Sequence, residues 1–215
     1  MLPMCNSSQT NRLLRRVSGQ DGEALEELFG RHCERLRKMI RLRLDRRLRD
    51  RFTSSAVLQE VYRDACKSMS EYLANPQQPI FLWLRQLTGQ RIQALHRQYL
   101  GTLVLDGGRE FSIYRGALPE VNSVSLAAQL IGNRAVNQSA VRAALLLRLQ
   151  DAFNSMEPLD REILGMCHFE ELRDAEVAAI LNIDKTAAAL HYVKALKRLK
   201  EILKSVPGFF DSKDP

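Results

Sequence analysis

The chain has 215 residues, of which 45% are hydrophobic, and this excludes a largely disordered protein while fitting one large domain or two small ones. A formal net charge of +7 favours a polyanionic partner, which leaves nucleic acid, an acidic protein and an anionic membrane open. The N-terminal sequence lacks the apolar core of a signal peptide, and no segment approaches the apolar length that spans a bilayer. We therefore expect a cytoplasmic protein with no membrane partner.

The residues that most often carry metal or catalytic chemistry are scattered along the chain. They comprise Cys5, Cys33, Cys66 and Cys167 together with His32, His96, His168 and His191. None of the cysteines forms a C-x-x-C or Cys/His ligand spacing, and the histidines are dispersed among the predicted helices. We expect reduced thiols, no metal, no cofactor and no enzymatic activity.

The N-terminal part is predicted to be helical throughout, because apolar residues recur at three-and-four spacing and no strand pattern competes. A short helix is expected over 11–18, followed by a long one that starts at the N-cap Asp21 and runs through Ile40. A third helix starts near Thr53 and ends at the stiff, amide-rich loop 75–79. The fourth, 81–100, contains no acidic residue.

The rest of the chain divides into three segments of different composition. Residues 101–138 are rich in Gly, Ser and Asn and nearly balanced in charge, which predicts a linker. Residues 139–205 are predicted to form four helices, with Pro158 and Asp160 marking the start of the second. A tail of residues 206–215 follows, and its Phe209 and Phe210 leave two interpretations open, docking on the chain itself or on a regulator.

Residues 173–198 have the pattern of a helix-turn-helix, a common DNA-binding motif. The chain breaks at Asn182, which tolerates a left-handed backbone, and Asp184 is expected to cap the next helix. That helix ends in a run of cations and carries a predicted apolar stripe, formed by Leu190, Val193, Leu196 and Leu199. The motif alone does not establish DNA binding, because many all-α proteins contain similar helix pairs.

The acid-free helix 81–100 interleaves aromatic residues with arginines, which suits single-stranded DNA because bases stack on aromatic rings and phosphates pair with arginine. The alternative is an ordinary core helix with a solvated basic face. For Phe81 and Leu84 we expect the core. For Trp83, Arg85 and Arg91 the pattern leaves both interpretations open.

Four sequence blocks in order resemble sigma factors of bacterial RNA polymerase, of the extracytoplasmic-function type in the sigma-70 superfamily. The blocks are SGQDGEALEELFGRHCERLRKMI, VLQEVYRDA, FLWLRQLTGQRIQALHR and LDREILGMCHFEELRDAEVAAILNI. Three further segments, YRGALPE, SLAAQLIG and HYVKALKRLKEIL, are similar to a planctomycete-like subgroup. The resemblance spans nearly the whole chain.

The resemblance implies an all-α fold, with two helical domains joined by a flexible linker and the helix-turn-helix in the C-terminal one. Residues 1–100 would bind core RNA polymerase and the −10 promoter element, 101–138 would be the linker, and 139–205 would bind the −35 element. The implied function is promoter recognition, DNA opening and transcription initiation at the nucleoid. The implied partners are promoter DNA and the core polymerase through its β′ clamp and β subunit. An anti-sigma factor is common in the family, but no residue here identifies one.

The resemblance also implies three sets of site residues. The set that docks on the β′ clamp is expected to present exposed apolar residues beside an amide, and it consists of Leu58, Gln59, Val61 and Tyr62. The −10 element would be bound by Asn75, Gln77, Gln78, Trp83, Arg85, Gln86, Gln90, Arg91 and Arg97. The −35 element would be bound by Lys185, Thr186, His191, Lys194, Lys197 and Arg198.

Two departures from the family pattern shape these expectations. Residues 53–56 lack the acidic side chains that many relatives carry before the docking helix, so docking is expected to depend more on apolar residues. The recognition helix has Ala188, Ala189 and Leu190 where basic or hydroxylated residues are frequent. We therefore expect −35 specificity to come partly from DNA shape and phosphate placement.

A free-standing helix-turn-helix regulator is the alternative function. It would bind specific duplex DNA without polymerase, which separates it experimentally from a sigma factor.

Overall fold

The computed structural model describes residues 7–100, 123, 126–127, 130 and 139–205. All regular elements within these residues are helices, which confirms the all-α prediction. In chain order they are α1 (Ser8–Ser18), α2 (Gly22–Gly30), α3 (Cys33–Arg43), α4 (Arg46–Arg49), α5 (Ser54–Ala74), α6 (Ile80–Leu100), α7 (Ser139–Ser155), α8 (Pro158–Leu164), α9 (Asp174–Leu181) and α10 (Lys185–Lys204). A π-helical turn, Gly165–Phe169, follows α8. No helix in the described part of the chain is long and apolar enough to cross a bilayer.

The chain separates into two compact units. The first comprises Met1–Leu105 with Arg109–Phe111, and the second comprises Asp106–Gly108 with Ser112–Pro215. The described helices α1 to α6 belong to the first unit, and α7 to α10 belong to the second.

Local capping sets the helix starts in the first unit. The Asp21 carboxylate accepts a hydrogen bond from the backbone N–H of Ala24 at 3.1 Å, as its predicted N-cap role requires. The prediction of one long helix from Asp21 to Ile40 is wrong in one respect, because the segment forms two helices. The first, α2, ends at Gly30, and the second, α3, begins at Cys33. Glycine is a weak helix former, and the next turn tightens so that the His32 N–H bonds to the Phe29 carbonyl.

The core of the first unit lies where α3, α5 and α6 pack together. Leu36 and Ile40 of α3, Val61 of α5 and Ile80 of α6 are fully buried. Phe81 and Leu84 are also buried, which confirms their predicted place in the core. Burial of such side chains stabilises the fold by about 1.5–3 kcal/mol each.

In the second unit α8, α9 and α7 pack against α10. Leu149, Phe153 and Leu199 are fully buried, and the rings of Phe153 and Phe169 meet edge to face with centroids 5.5 Å apart. Pro158 is the first residue of α8, as predicted. After Leu164 the chain changes to π-helical geometry, which extends from Gly165 to Phe169.

The predicted linker, residues 101–138, lies outside the described residues except at four positions. Ser123, Leu126, Ala127 and Leu130 are helical and buried, with exposed fractions of 3%, 0%, 0% and 9%. They stand at the three-and-four spacing of one helix face. The linker over 101–138 stays a prediction, and it includes these four helical residues. The predicted tail, 206–215, also lies outside the described residues.

Candidate nucleic-acid and polymerase interfaces

The loop before α6 is fixed by aromatic and amide side chains. The Tyr72 hydroxyl donates a hydrogen bond to the Gln78 carbonyl at 2.9 Å, and the Trp83 ring packs on Tyr72 with centroids 4.8 Å apart and planes at 32°. Gln78 Nε2 donates to Gln86 Oε1 at 2.7 Å. The structure thus brings together three predicted −10 residues and adds Tyr72. Sequence reasoning missed this tyrosine, although an aromatic residue one turn before the loop was a visible signal.

The other predicted −10 residues divide into exposed and packed side chains. Those exposed to solvent are Asn75, Gln77, Gln90 and Arg97. Arg85, by contrast, is only 4% exposed, which contradicts its predicted place on a DNA-facing surface. It lies one turn after Phe81 and two turns before Ile92, so it shares the face of α6 that packs into the core.

Arg91 is engaged within the protein. Its Nε atom donates to Asp64 Oδ2 of α5 at 3.0 Å, and both side chains are largely shielded from solvent. An ion pair of this kind holds α6 against α5. It competes with the predicted contact between Arg91 and DNA.

The predicted polymerase-docking residues also divide into buried and solvent-accessible side chains. Leu58 is 5% exposed and Val61 is fully buried, so the expectation that both are exposed is wrong. These two residues lie on the face of α5 that packs into the first unit. Gln59 is exposed, and Tyr62 is half-buried against Phe29 with ring centroids 5.1 Å apart. Burial raises the pKa of the Tyr62 phenol, so the hydroxyl stays protonated.

A groove of about 530 Å³ lies between α2, the start of α3 and α5. Phe29, Leu58 and Tyr62 contribute its apolar wall, and Cys33 lines it as well. Charged and amide side chains also line the groove, namely Glu26, Arg37, Gln59 and Arg63. Three of the four predicted docking residues therefore meet at one concave surface.

The helix-turn-helix forms as predicted. Asn182 ends α9 with φ 54° and ψ 44°, in the left-handed region that asparagine tolerates. Asp184 caps α10, and its carboxylate accepts a hydrogen bond from the Ala187 N–H at 2.9 Å. At the start of α9 the Glu176 carboxylate accepts from the Arg173 N–H at 2.9 Å.

The recognition helix α10 presents most of the predicted −35 residues on its outer surface. Exposed among them are Lys185, Thr186, Lys194 and Lys197, whereas His191 is half-buried. The predicted apolar stripe is wrong at two positions, because Leu190 is 56% and Val193 is 46% exposed. The packed face is instead formed by Ala188, Ala195, Leu199 and Leu203.

Arg198 forms an ion pair with Asp160 of α8. The Arg198 side chain is 63% exposed, while that of Asp160 is 4% exposed. The hydrogen bond and negative charge of Asp160 raise the pKa of the guanidinium. Arg198 therefore fastens α10 to α8, a role that its position among the C-terminal cations did not reveal.

A second contact attaches α10 to the π-helical turn. The Tyr192 hydroxyl and His168 Nε2 are 2.9 Å apart, and burial lowers the pKa of the His168 imidazole. A neutral imidazole is favoured here, because charging it in a dry environment costs free energy. Sequence reasoning missed this pair.

A capped helix-turn-helix in an all-helical unit, with lysines on the outer surface of its second helix, has the arrangement of DNA-binding domains of the helix-turn-helix class. Residues 146–199 match the family described as sigma-70, region 4. This domain is characteristic of extracytoplasmic-function sigma factors, which are members of the sigma-70 superfamily. That superfamily implies core RNA polymerase and promoter DNA as partners, and the region 4 family is non-catalytic. No curated protein significantly matches the chain.

Proposed function

We propose that the whole chain is a cytoplasmic sigma factor that binds core RNA polymerase and directs promoter recognition, DNA opening and transcription initiation. The observation that carries this proposal is the region 4 domain at residues 146–199, built around a capped helix-turn-helix. The bond chemistry of transcription belongs to the polymerase, so the chain itself acts by binding and is not an enzyme. An anti-sigma factor is not part of the proposal.

The first unit is proposed to bind the −10 element at the loop before α6. Asn75 and Gln77 are exposed amides that could pair with base edges, and Trp83 offers a ring on which an unstacked base can lie. Gln78 and Gln86 hold each other through their side-chain amides, which presets the loop geometry. Gln90 and Arg97 extend the surface along α6, while Arg85 and Arg91 support the packing beneath it.

Core polymerase is proposed to dock at the groove between α2, α3 and α5. An apolar side chain of the β′ clamp fits against Phe29, Leu58 and Tyr62, and Gln59 offers an amide at the edge. Val61 supports this surface from the core. A concave apolar site also agrees with residues 53–56, which offer no acidic side chain for an electrostatic contact.

The second unit is proposed to bind the −35 element with the outer surface of α10. Lys185, Lys194 and Lys197 would contact phosphates, and Thr186 with His191 would contact bases or backbone. Arg198 acts as a positioning residue through its pair with Asp160.

Run-off transcription with purified core polymerase on a library of promoter fragments tests the proposal. We expect transcripts from a subset of fragments only when the chain is added. Trp83→Ala should reduce open complexes by about tenfold, since one stacked base contributes about 1–3 kcal/mol. Trp83→Phe, which keeps a ring, is the matched control. Both variants should bind core polymerase like the unmodified chain.

Specific duplex binding by the chain alone, with no chain-dependent transcript from any fragment, would show a free-standing regulator instead. Equal loss of core binding and opening in Trp83→Ala would place Trp83 in the fold and not at the DNA.

A further inference from the structure

The recognition helix exposes apolar side chains where DNA is proposed to bind. The large hydrophobic residues that are exposed within the described part of the chain are Leu147, Leu190 and Val193, and two of them belong to α10. Leu190 and Val193 are three residues apart on one helix, so they are neighbours on its surface and form a small apolar patch that a binding partner can cover.

Helix geometry places these two residues at the centre of the outer surface. Successive residues are rotated by about 100°, so Leu190 lies opposite Leu199 and the other packed positions of α10. Thr186 precedes Leu190 by one turn, and Lys194 follows it by one turn, on the same side. The packed face uses small residues, Ala188 and Ala195, which let α10 lie close to its neighbours and leave the larger side chains outside.

The charges around the pair favour DNA as the occupant. Lys194 and Lys197 are exposed on the same side of the helix as Leu190, so a partner surface that is anionic at its margins and apolar in the middle complements this face. The major groove has this character, because phosphates border it and the C5-methyl group of thymine is the apolar group on its floor.

We infer that Leu190 and Val193 recognise thymine methyl groups in the −35 element. This inference rests on the proposed function and deepens it, since it names the chemical group that gives the second unit its sequence preference. It adds direct base readout to the contribution that DNA shape and phosphate placement are expected to make to −35 specificity. The apolar residues themselves perform the readout.

Replacement of thymine by deoxyuridine provides the test, because it removes the methyl group and leaves base pairing intact. On a promoter fragment that supports run-off transcription, each thymine of the −35 element is replaced singly. The affinity of the complex between the chain and core polymerase for each DNA fragment is then measured. We expect about fourfold weaker binding at one or two positions, the effect of exposing one methyl group.

Variants then assign the effect to the side chains. Leu190→Ala should weaken binding to the thymine fragment and abolish the difference between thymine and deoxyuridine at one position, and Val193→Ala should do so at a neighbouring one. Leu190→Met, which stays apolar, should retain the difference. Leu147→Ala removes an equally exposed leucine from α7 and should leave the difference unchanged. Lys194→Ala should lower the salt dependence but keep the methyl effect.

Three results would overturn the inference. They are active −35 elements without thymine, deoxyuridine that has no effect at any position, and a methyl effect that persists in both alanine variants. If Leu190→Ala weakens core polymerase binding and leaves the methyl effect intact, the surface binds protein. Failure of the proposed function would give a different result, because no promoter fragment would yield a transcript that depends on the chain. This inference would then lose its basis as well.

Discussion

Arg198 carries a positive charge on an exposed stretch of helix, and yet its position is determined by a carboxylate that is almost fully buried. Asp160 lies 38 residues earlier and reaches Arg198 only because α8 packs on α10. Lys197, the adjacent residue, is exposed. Two neighbouring cations in one basic run thus differ: Arg198 pairs within the fold, and Lys197 is free to make the DNA contact proposed for it.

Substitution separates these tasks. We expect Arg198→Ala to lower the midpoint of thermal unfolding, because it leaves the buried Asp160 carboxylate without its guanidinium partner. Lys197→Ala should leave the midpoint unchanged and reduce the salt dependence of promoter binding by about one phosphate contact. Circular dichroism and binding titrations at several salt concentrations measure the two effects. Equal midpoints for both variants would assign no structural role to the Asp160 pair.

At the scale of elements, α6 combines a core face with the surface that is proposed to bind DNA. Its N-terminal half holds Trp83 and Gln86 beside the loop, while Phe81 and Arg85 point into the packing. At its other end, His96 Nε2 accepts a hydrogen bond from the backbone N–H of Asp45 at 3.1 Å. This bond connects α6 to the start of α4 and requires an unprotonated Nε2.

Acidification should therefore destabilise the first unit. Burial is the main cause that lowers the pKa of His96, and the charge of Arg47 lowers it further, against an opposing effect of Asp45. The unfolded chain binds the proton more tightly than the folded chain. The contribution of His96 to the free energy of unfolding is therefore fully present above a pH of about 6.5, the pKa of an unperturbed histidine. It decreases as the pH falls from that value towards the lower pKa of His96 in the folded protein.

Trp83 provides the measurement, since it is the only tryptophan of the chain and lies in the first unit. Its fluorescence during denaturation should report lower stability at pH 5 than at pH 7. His96→Gln keeps an acceptor that does not titrate in this range, and it should flatten the dependence. An identical pH dependence in both proteins would show that His96 does not control it.

On the scale of the whole molecule, the boundary between the two units contains more structure than composition indicated. Leu126, Ala127 and Leu130 are helical and buried, and they belong to the unit that spans Ser112–Pro215. Part of the predicted linker is therefore expected to stabilise that unit.

Two leucine substitutions test this expectation. Leu126→Ala removes a fully buried side chain, and it should lower the free energy of unfolding by about 2–5 kcal/mol. Leu147→Ala removes a leucine that is 60% exposed, and it should change the value by less than about 0.5 kcal/mol. Guanidinium denaturation of the full chain, followed by far-ultraviolet circular dichroism, compares them. Similar small effects would mean that Leu126 acts as an ordinary linker residue.

Local physics made several features predictable from the sequence. The caps at Asp21 and Asp184 and the helix start at Pro158 depend on residues close in sequence, and the left-handed turn at Asn182 is one that asparagine tolerates. Helical periodicity predicted the all-α class because it too depends on residues that are close together in the sequence. The order of four sequence blocks indicated the superfamily to which residues 146–199 were then matched.

Only the tertiary structure decided which face of each helix is available for binding. Arg85, Leu58 and Val61 were placed on surfaces from the sequence but are buried, and Leu190 and Val193 were placed in a stripe but are exposed. A helix with apolar residues on several sides has no single packed face that its own periodicity can select. That choice depends on the shapes and charges of neighbours distant in sequence, as the pairs of Asp64 with Arg91 and of Asp160 with Arg198 show.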